Sequence, residues 1–297
     1  MKLLKTLILS GLIICQANLM AQTVTADFKP FGGKKEQREL KKVFISDFSV
    51  KQLVRKKGTA KAGGGIGGDM AYAHMTVDFG GVEPAAYQQM LTEVYDDVTK
   101  KLTSMGYQVL TGEEVKGKTS KECNVVTSVE EPKGDMQLNA QVVKIRPKDK
   151  MLCYTDNIIT AGMFYPKVAR DIDAIVLYFN YVVDYVGYGK SGGSFAMKAQ
   201  IEAVPNLVVS GIMGTAVSKG GGNSQIKPVK ADDSWVGPEG MYQTSKHKMS
   251  PLFGMGATSS SSKWTLDVDQ AKYLAMVKSY LIAASIANID AWQADLK

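Results

Sequence analysis

Apolar residues recur along this chain in two rhythms, and the points where the rhythm changes mark its elements. From Ile175 the odd positions Ile175, Leu177, Phe179, Tyr181, Val183 and Tyr185 are all apolar, with Asn180 and Asp184 between them. That period of two is what a strand needs to bury one face. A turn over 187–193 leads into a second alternating run, with Phe195, Met197, Ala199, Ile201 and Ala203 set against Ser194, Ala196, Lys198, Gln200 and Glu202. The pair reads as a half-buried antiparallel hairpin, and Pro205-Asn206 reads as a further turn into a third strand over 207–217, completing a meander. A spacing of three and four governs Tyr87, Leu91, Val94, Val98, Leu102 and Met105, with Pro84 at the start and Gly106 at the C-cap, which predicts a helix. A second helix is expected from near Asp267, where Asp267 and Gln270 have capping-box spacing, through Tyr273, Leu274, Val277, Leu281, Ala284, Ile289 and Trp292. Residues 42–48 (Lys-Val-Phe-Ile-Ser-Asp-Phe) and 107–110 read as strands. The fold class implied is α/β (α+β), a mixed sheet with a large antiparallel meander covered by the two long amphipathic helices near 84–105 and 267–294. Two stretches break the rhythms and read as loops: a basic, glycine-rich one at about 51–81 and a Gly/Ser-rich one at about 219–263.

The first twenty residues follow a different logic. Lys2 and Lys5 form a basic n-region, an apolar stretch runs from Thr6 to Cys15, and Ala17 and Ala21 are small residues suited to cleavage. This is the pattern of a secretory signal peptide. The run is roughly half the length of about 20 apolar residues that a spanning helix requires. The chain therefore divides into a signal peptide, 1–21, and a single exported domain, 22–297. Cys15 raises lipidation as an alternative, although Ile14 stands where a lipoprotein signal wants a small residue. No other segment is expected to cross a membrane as a helix.

Charge changes the picture only locally. The formal net charge is +7, and residues 22–61 carry eleven Lys or Arg against Asp27, Glu36, Glu39 and Asp47. Lys34, Lys35, Arg38, Lys41 and Lys42, then Arg55, Lys56, Lys57 and Lys61, could meet anionic lipid headgroups or polyanionic glycans, while a solvated face beside a strand is the plainer account. Export and the lack of interleaved aromatics argue against nucleic acid. After the leader is removed, Cys123 and Cys153 form an even pair in a compartment that permits disulfides.

No motif for catalysis, cofactor or metal binding stands up. The run Gly63-Gly64-Gly65-Ile66-Gly67-Gly68 satisfies a dinucleotide fingerprint only because nearly every position is glycine, and it lacks the adjacent strand and helix. Gly189-Lys190-Ser191 ends like a phosphate-binding loop but joins two antiparallel strands. The Asp171/Asp173 and Asp267/Asp269 pairs lack the further oxygen ligands of a calcium loop. His74 and His247 are the only histidines, and neither shows ligand spacing to the cysteines.

Over 41–48, 85–114 and 169–178 the chain resembles the family of the curli-secretion channel subunit CsgG and related periplasmic domains such as the N-terminal domain of TolB. The segments that carry this are the leading strand Lys-Val-Phe-Ile-Ser-Asp-Phe, the helix ending in Met105-Gly106-Tyr107-Gln108-Val109-Leu110, and Val168-Ala169-Arg170-Asp171-Ile172-Asp173-Ala174-Ile175-Val176 entering a later strand. The resemblance implies a layered α/β domain used in envelope assembly, secretion or transport, with no catalytic residues to carry over. The leading expectation is a non-enzymatic envelope protein in the periplasm or at the outer membrane. Its partners would be envelope proteins or an anionic envelope surface, with homo-oligomers open. A small-molecule or glycan-binding module comes second and a hydrolase third. The 175–203 hairpin also has transmembrane strand length, with one apolar and one polar face; a half-buried soluble sheet accounts for it as well. Mass spectrometry of protein from its native host should place the mature N-terminus between Asn18 and Thr23, and an intact Met1 or a diacylated Cys15 would contradict the leader reading.

Overall fold

The computed structural model describes residues 24–63, 70–191, 199–251 and 258–297. The leader, Cys15 and nearly all of the glycine run at 63–68 therefore lie outside the described residues. Strands β1 (Ala26–Gly32), β2 (Lys42–Gly63), β3 (Met70–Phe79), β4 (Gln108–Val109), β6 (Lys133–Asp135), β7 (Ala140–Ile145), β9 (Ile175–Ser191), β10 (Gln200–Val217), β11 (Gly220–Lys230), β12 (Val236–Pro251) and β13 (Thr258–Val268) make one mixed sheet. Its main path runs β1-β11-β10-β9-β2-β3-β13-β12, with β4, β7 and β6 on the far side of β2. A separate two-stranded ribbon joins β5 (Asn124–Val125) to β8 (Met151–Leu152). Five helices accompany them: α1 (Lys34–Glu39), α2 (Pro84–Ser104), α3 (Gly112–Lys116), α4 (Ile158–Ile172) and α5 (Gln270–Leu296).

Period-two alternation sends neighbouring residues to opposite faces and so builds two cores. Val43, Ile45, Ile175, Leu177, Phe179, Tyr181, Val183 and Tyr185 join the buried sides of α2 and α5. Phe44 and Val176 face the other way, onto Tyr165, Val168, Ala169 and Ile172 of α4 and Val115 of α3. Both faces of the sheet thus carry helices, and α4 was not foreseen from the sequence because Gly162 and Pro166 interrupt it. Cys123 and Cys153 are bonded within this second core, Cα–Cα 4.1 Å.

α2 matches its sequence pattern, starting with Pro84 and ending before Gly106 at φ 87°. α5 begins later than the Asp267 spacing suggests: Asp269 is the N-cap, accepting from the Lys272 N–H at 3.2 Å, and Gln270 instead accepts from the Glu83 N–H. By length and composition α5 would pass for a membrane-crossing helix, contrary to the expectation that no segment would. Its inner side is packed into the domain, with Tyr273, Val277, Leu281, Ala284, Ile289 and Trp292 fully buried. That side is also pinned by polar bonds: Tyr273 Oη to Gln52 Oε1 at 2.5 Å, Ser285 Oγ with Tyr181 Oη at 2.9 Å, and Trp292 Nε1 to Gln37 Oε1 at 2.8 Å.

Four loop and turn expectations are corrected. The basic stretch at 51–81 is a strand pair, β2 with β3, in continuous antiparallel register from Arg55↔Asp78 to Gly63↔Met70. The Gly/Ser-rich stretch at 219–263 holds β11, β12 and most of β13, because its small residues pack under neighbours; a Cβ on Gly222 would stand 2.2 Å from the Phe28 ring. Pro205-Asn206 is a bulge inside a single long β10, not a turn, and β9 continues through Gly189-Lys190-Ser191 instead of turning there. The third strand of the meander is therefore β11.

β2 controls the layout. Val50 to Gln52 pair with β7 on one edge and β9 on the other, while Arg55 and Lys56 pair with β7 and β3. β9 and β3 therefore occupy the same edge in succession. Past Val183, β9 stays with β10 and crosses over the β2–β3 ribbon. Tyr185 Oη donates to Val77 O, Tyr188 Oη donates to Lys56 O at 2.8 Å, and Lys56 bonds Asp184 and Val186 O. Gly58 lies beneath this crossing, where a Cβ would meet Ile201 at 2.5 Å and Tyr188 at 2.9 Å.

Trp292 is fully buried, stacks on Tyr107 at 5.6 Å between centroids and bonds Gln37, so it ties α5 to α1 and β4. Trp292→Ala should cost about 3–5 kcal/mol, read as a lower denaturation midpoint in urea.

Candidate functional site

The register of β2 against β9 slips between Ile45 and Asp47. Before the slip the odd residues Val43 and Ile45 face the α2/α5 core; after it the even residues Phe48 and Val50 do. Asp47, Ser49 and Lys51 are thereby turned to the α4 face, where an unbroken alternation would have placed apolar residues. Ser46, the extra residue, donates its hydroxyl proton to Cys153 O, linking the slip to the disulfide.

Cross-strand neighbours complete a polar field. Lys144 lies opposite Lys51, Tyr178 opposite Asp47 and Asn180 opposite Ser49. Arg146 follows Lys144 on the same face, and at 3% exposure it is surrounded by acids. Its Nε donates to Asp47 at 3.0 Å, Nη1 to Glu130 at 2.7 Å and Nη2 to Asp156 at 2.6 Å. The guanidinium carbon stands 3.5 Å from the centre of the Tyr154 ring. Burial works to lower the Arg146 pKa, but Asp47 and Asp156 outweigh it and hold the guanidinium charged. Burial pushes the Asp47 carboxyl upward against the pull of Arg146 and Lys144. Asp156 is held below its ordinary value, since Lys144 and Arg146 overcome its burial. Each buried charge has a partner of opposite sign, the condition under which such a group is tolerated.

Beside this cluster a cavity of about 380 Å³ opens between the sheet and the first half of α4. Ser49, Lys51, Lys144, Asn180 and Asp156 supply its polar wall, and Tyr178, Val182 and Ile212 its apolar one. Tyr165 of α4 stacks on Tyr178 at 4.2 Å and 11°. The volume falls within the range usual for small-molecule sites, and a cavity with a few converging polar groups is the standard starting point for a ligand site.

No protein-family model, curated protein or solved structure matches the chain.

The four basic residues singled out in the sequence do not form one patch. Arg55 pairs with Asp78 at 2.5 Å, and Lys56 points to the opposite side of β2, where Asp184 and Val186 O hold it beneath the crossing. Burial would raise Asp78, but Arg55 and Lys263 together keep it below its ordinary value. Lys57 and Lys61 alternate with Thr59 on the outer face, next to Thr76, His74 and Tyr72 of β3. Lys61 lies over the Tyr72 ring at 5.8 Å. Of the acid pairs, Asp171 accepts from Thr119 Oγ1 and Ser120 N, Asp173 takes a left-handed turn at φ 50°, and Asp267 accepts from Glu239 N. Among the described residues no group of three or more His, Cys, Asp or Glu could hold a metal ion.

Sequence reading missed the Arg146 cluster. Its signal was the departure from alternation at Ser46-Asp47 together with a lysine and an arginine two apart at the end of an apolar run, Val142-Val143-Lys144-Ile145-Arg146. Arg146→Met should strand Asp47 as a buried unpaired charge and destabilise the domain by about 3–5 kcal/mol. Arg146→Met combined with Asp47→Leu should recover much of that loss. Guanidinium denaturation of the single and double variants measures both.

Proposed function

We propose that this is an exported, non-enzymatic protein of the cell envelope, in the periplasm or at the outer membrane, that works by binding and assembly. The observation that carries this reading is the β2–β3 ribbon with its outer polar face. It sets Lys57, Thr59 and Lys61 beside His74 and Tyr72 on one face of a paired strand ribbon. Such a face suits contact with an anionic envelope surface. In this reading the long helices near 84–105 and 267–294 act as the rigid cover that holds the sheet while the ribbon makes contacts. The resemblance to CsgG-like and TolB-like domains supports the same role, with envelope proteins or further copies of the chain as partners. The mutual neutralisation of Arg146, Asp47, Glu130 and Asp156 also suits a scaffold better than acid–base chemistry, which needs a group free to exchange a proton. A second reading, a small-molecule or glycan-binding module, draws on the cavity beneath α4.

The mature protein should co-sediment with phosphatidylglycerol vesicles and far less with phosphatidylcholine vesicles, and added salt should weaken the association. At roughly 1 kcal/mol for each surface lysine, Lys57→Gln with Lys61→Gln should reduce binding by about thirtyfold. Lys116→Gln with Lys118→Gln makes the same charge change elsewhere and should have little effect. Equal losses in both pairs would remove the case for the ribbon face.

A further inference from the structure

The cavity beneath α4 has an uneven hydrogen-bonding wall. Lys51 Nζ has one carboxylate partner, Asp135 at 2.8 Å, and Lys144 has one, Asp156. An ammonium carries three N–H donors, so both lysines keep donors to offer. Asn180 Oδ1 already accepts from Ser49 Oγ at 2.8 Å, which leaves its amide N–H groups for the cavity. Of the carboxylates, Asp156 takes both Lys144 and Arg146 on Oδ1 and keeps Oδ2 as one acceptor on this wall, while Asp135 accepts from the backbone N–H groups of Gln137 and Leu138.

What the side chains of this wall leave open is therefore mainly donor capacity. Lys51 and Lys144 are also direct cross-strand neighbours, an arrangement in which like charges repel. An anionic oxygen group between them would relieve that repulsion. Beside them on the same sheet face, Tyr178, Val182 and Ile212 have no charge to satisfy and suit an apolar body.

We propose that this cavity binds a small amphiphilic oxyanion, a carboxylate or a phosphate monoester, with its head on Lys51, Lys144 and Asn180 and its apolar part against Tyr178, Val182 and Ile212. This rests on the second reading above, that the cavity is a ligand site, and is independent of the ribbon's role in assembly. Because Asp135 and Asp156 already counter the two lysines, the site suits a head of low charge more than a polyanion. Gly162 lies at the cavity's edge with open space around the position of a Cβ, so a larger side chain fits there without clashing and narrows the entrance.

The test is calorimetric titration of the mature protein with 4-phenylbutanoate, 3-phenylpropyl phosphate and the neutral 4-phenylbutanamide, with NMR of the tyrosine rings to locate binding. One of the two anions should bind saturably, at least tenfold more tightly than the amide, and should shift the Tyr178 and Tyr165 ring signals. Which anion binds more tightly identifies the head group. Lys51→Met should bring the anion down to the level of the amide, and Gly162→Leu should weaken all three ligands while thermal unfolding shows that both variants remain folded. An amide that binds as tightly as the anions would overturn the oxyanion inference and leave a small-molecule site standing. Absence of saturable binding by all three would overturn both.

Discussion

A strand has two hydrogen-bonding edges, and in this protein β2 must serve four partners along them. β4 and β7 share one edge, and β9 and β3 share the other in succession. Backbone groups left unpaired in the interior are costly, so where β3 takes over the edge β9 has to keep its remaining bonds with β10 and leave the plane. The crossing that results explains several otherwise odd features. β10 bulges at Pro205 because it must bend with β9. Gly58 has no side chain because two side chains lie directly above it. Two tyrosine hydroxyls and one lysine of the crossing are bound to backbone oxygens instead of solvent.

The same strand decides where charge can be buried. One extra residue at Ser46 exchanges the faces of the stretch that follows it, so a sequence that begins by feeding the α2/α5 core goes on to feed the α4 face with Asp47, Ser49 and Lys51. A slip of this kind would ordinarily bury unpaired polar groups. Here β7 presents Lys144 and Arg146 at the matching height, and the segment beyond the disulfide presents Tyr154 and Asp156. Cys153 links these parts: its sulfur is tied to Cys123 and its carbonyl to Ser46, so the acid-bearing segment is held against the slipped strand.

How much of this could be read from sequence depends on whether burial was one-sided and side chains were large. The period of two from Ile175 to Tyr185 was legible because every inward residue is big and apolar, and all six are buried. α2 was legible for the same reason with a period near 3.6. The strands over 220–268 were not, because glycine and serine take several of their inward positions among Ile226, Val229 and Leu266. Ser224 and Ser262 are buried, and Gly222 lies under an aromatic ring, so the alternation exists in space without a hydropathy signal. In the second half of β2 the inward residues are Lys56, Gly58, Ala60 and Ala62, small or charged because the crossing leaves little room. Composition there suggests a loop although the backbone is fully paired with β3. The same alternation scattered the candidate basic patch, since Lys56 cannot share a face with Arg55, Lys57 and Lys61.

These constraints also bear on what the two regions can do. In the Arg146 cluster the guanidinium spreads its donors over three carboxylates from separate parts of the chain, and Asp47, the most buried of them, is held by it directly. Its energy is therefore spent on fixing the relative positions of β2, β7 and the segment after Cys153, which argues for rigidity and against a role in proton transfer. The cavity alongside inherits that rigidity: its two lysines and its asparagine are set by strand register and not by loop conformation. The ribbon differs. Beyond the crossing its outer face is met by no helix among the described residues, and the side chains there are lysine, threonine, histidine and tyrosine on paired strands. Paired strands hold such side chains at fixed spacing, so the ribbon presents a set array of polar groups and not a movable one.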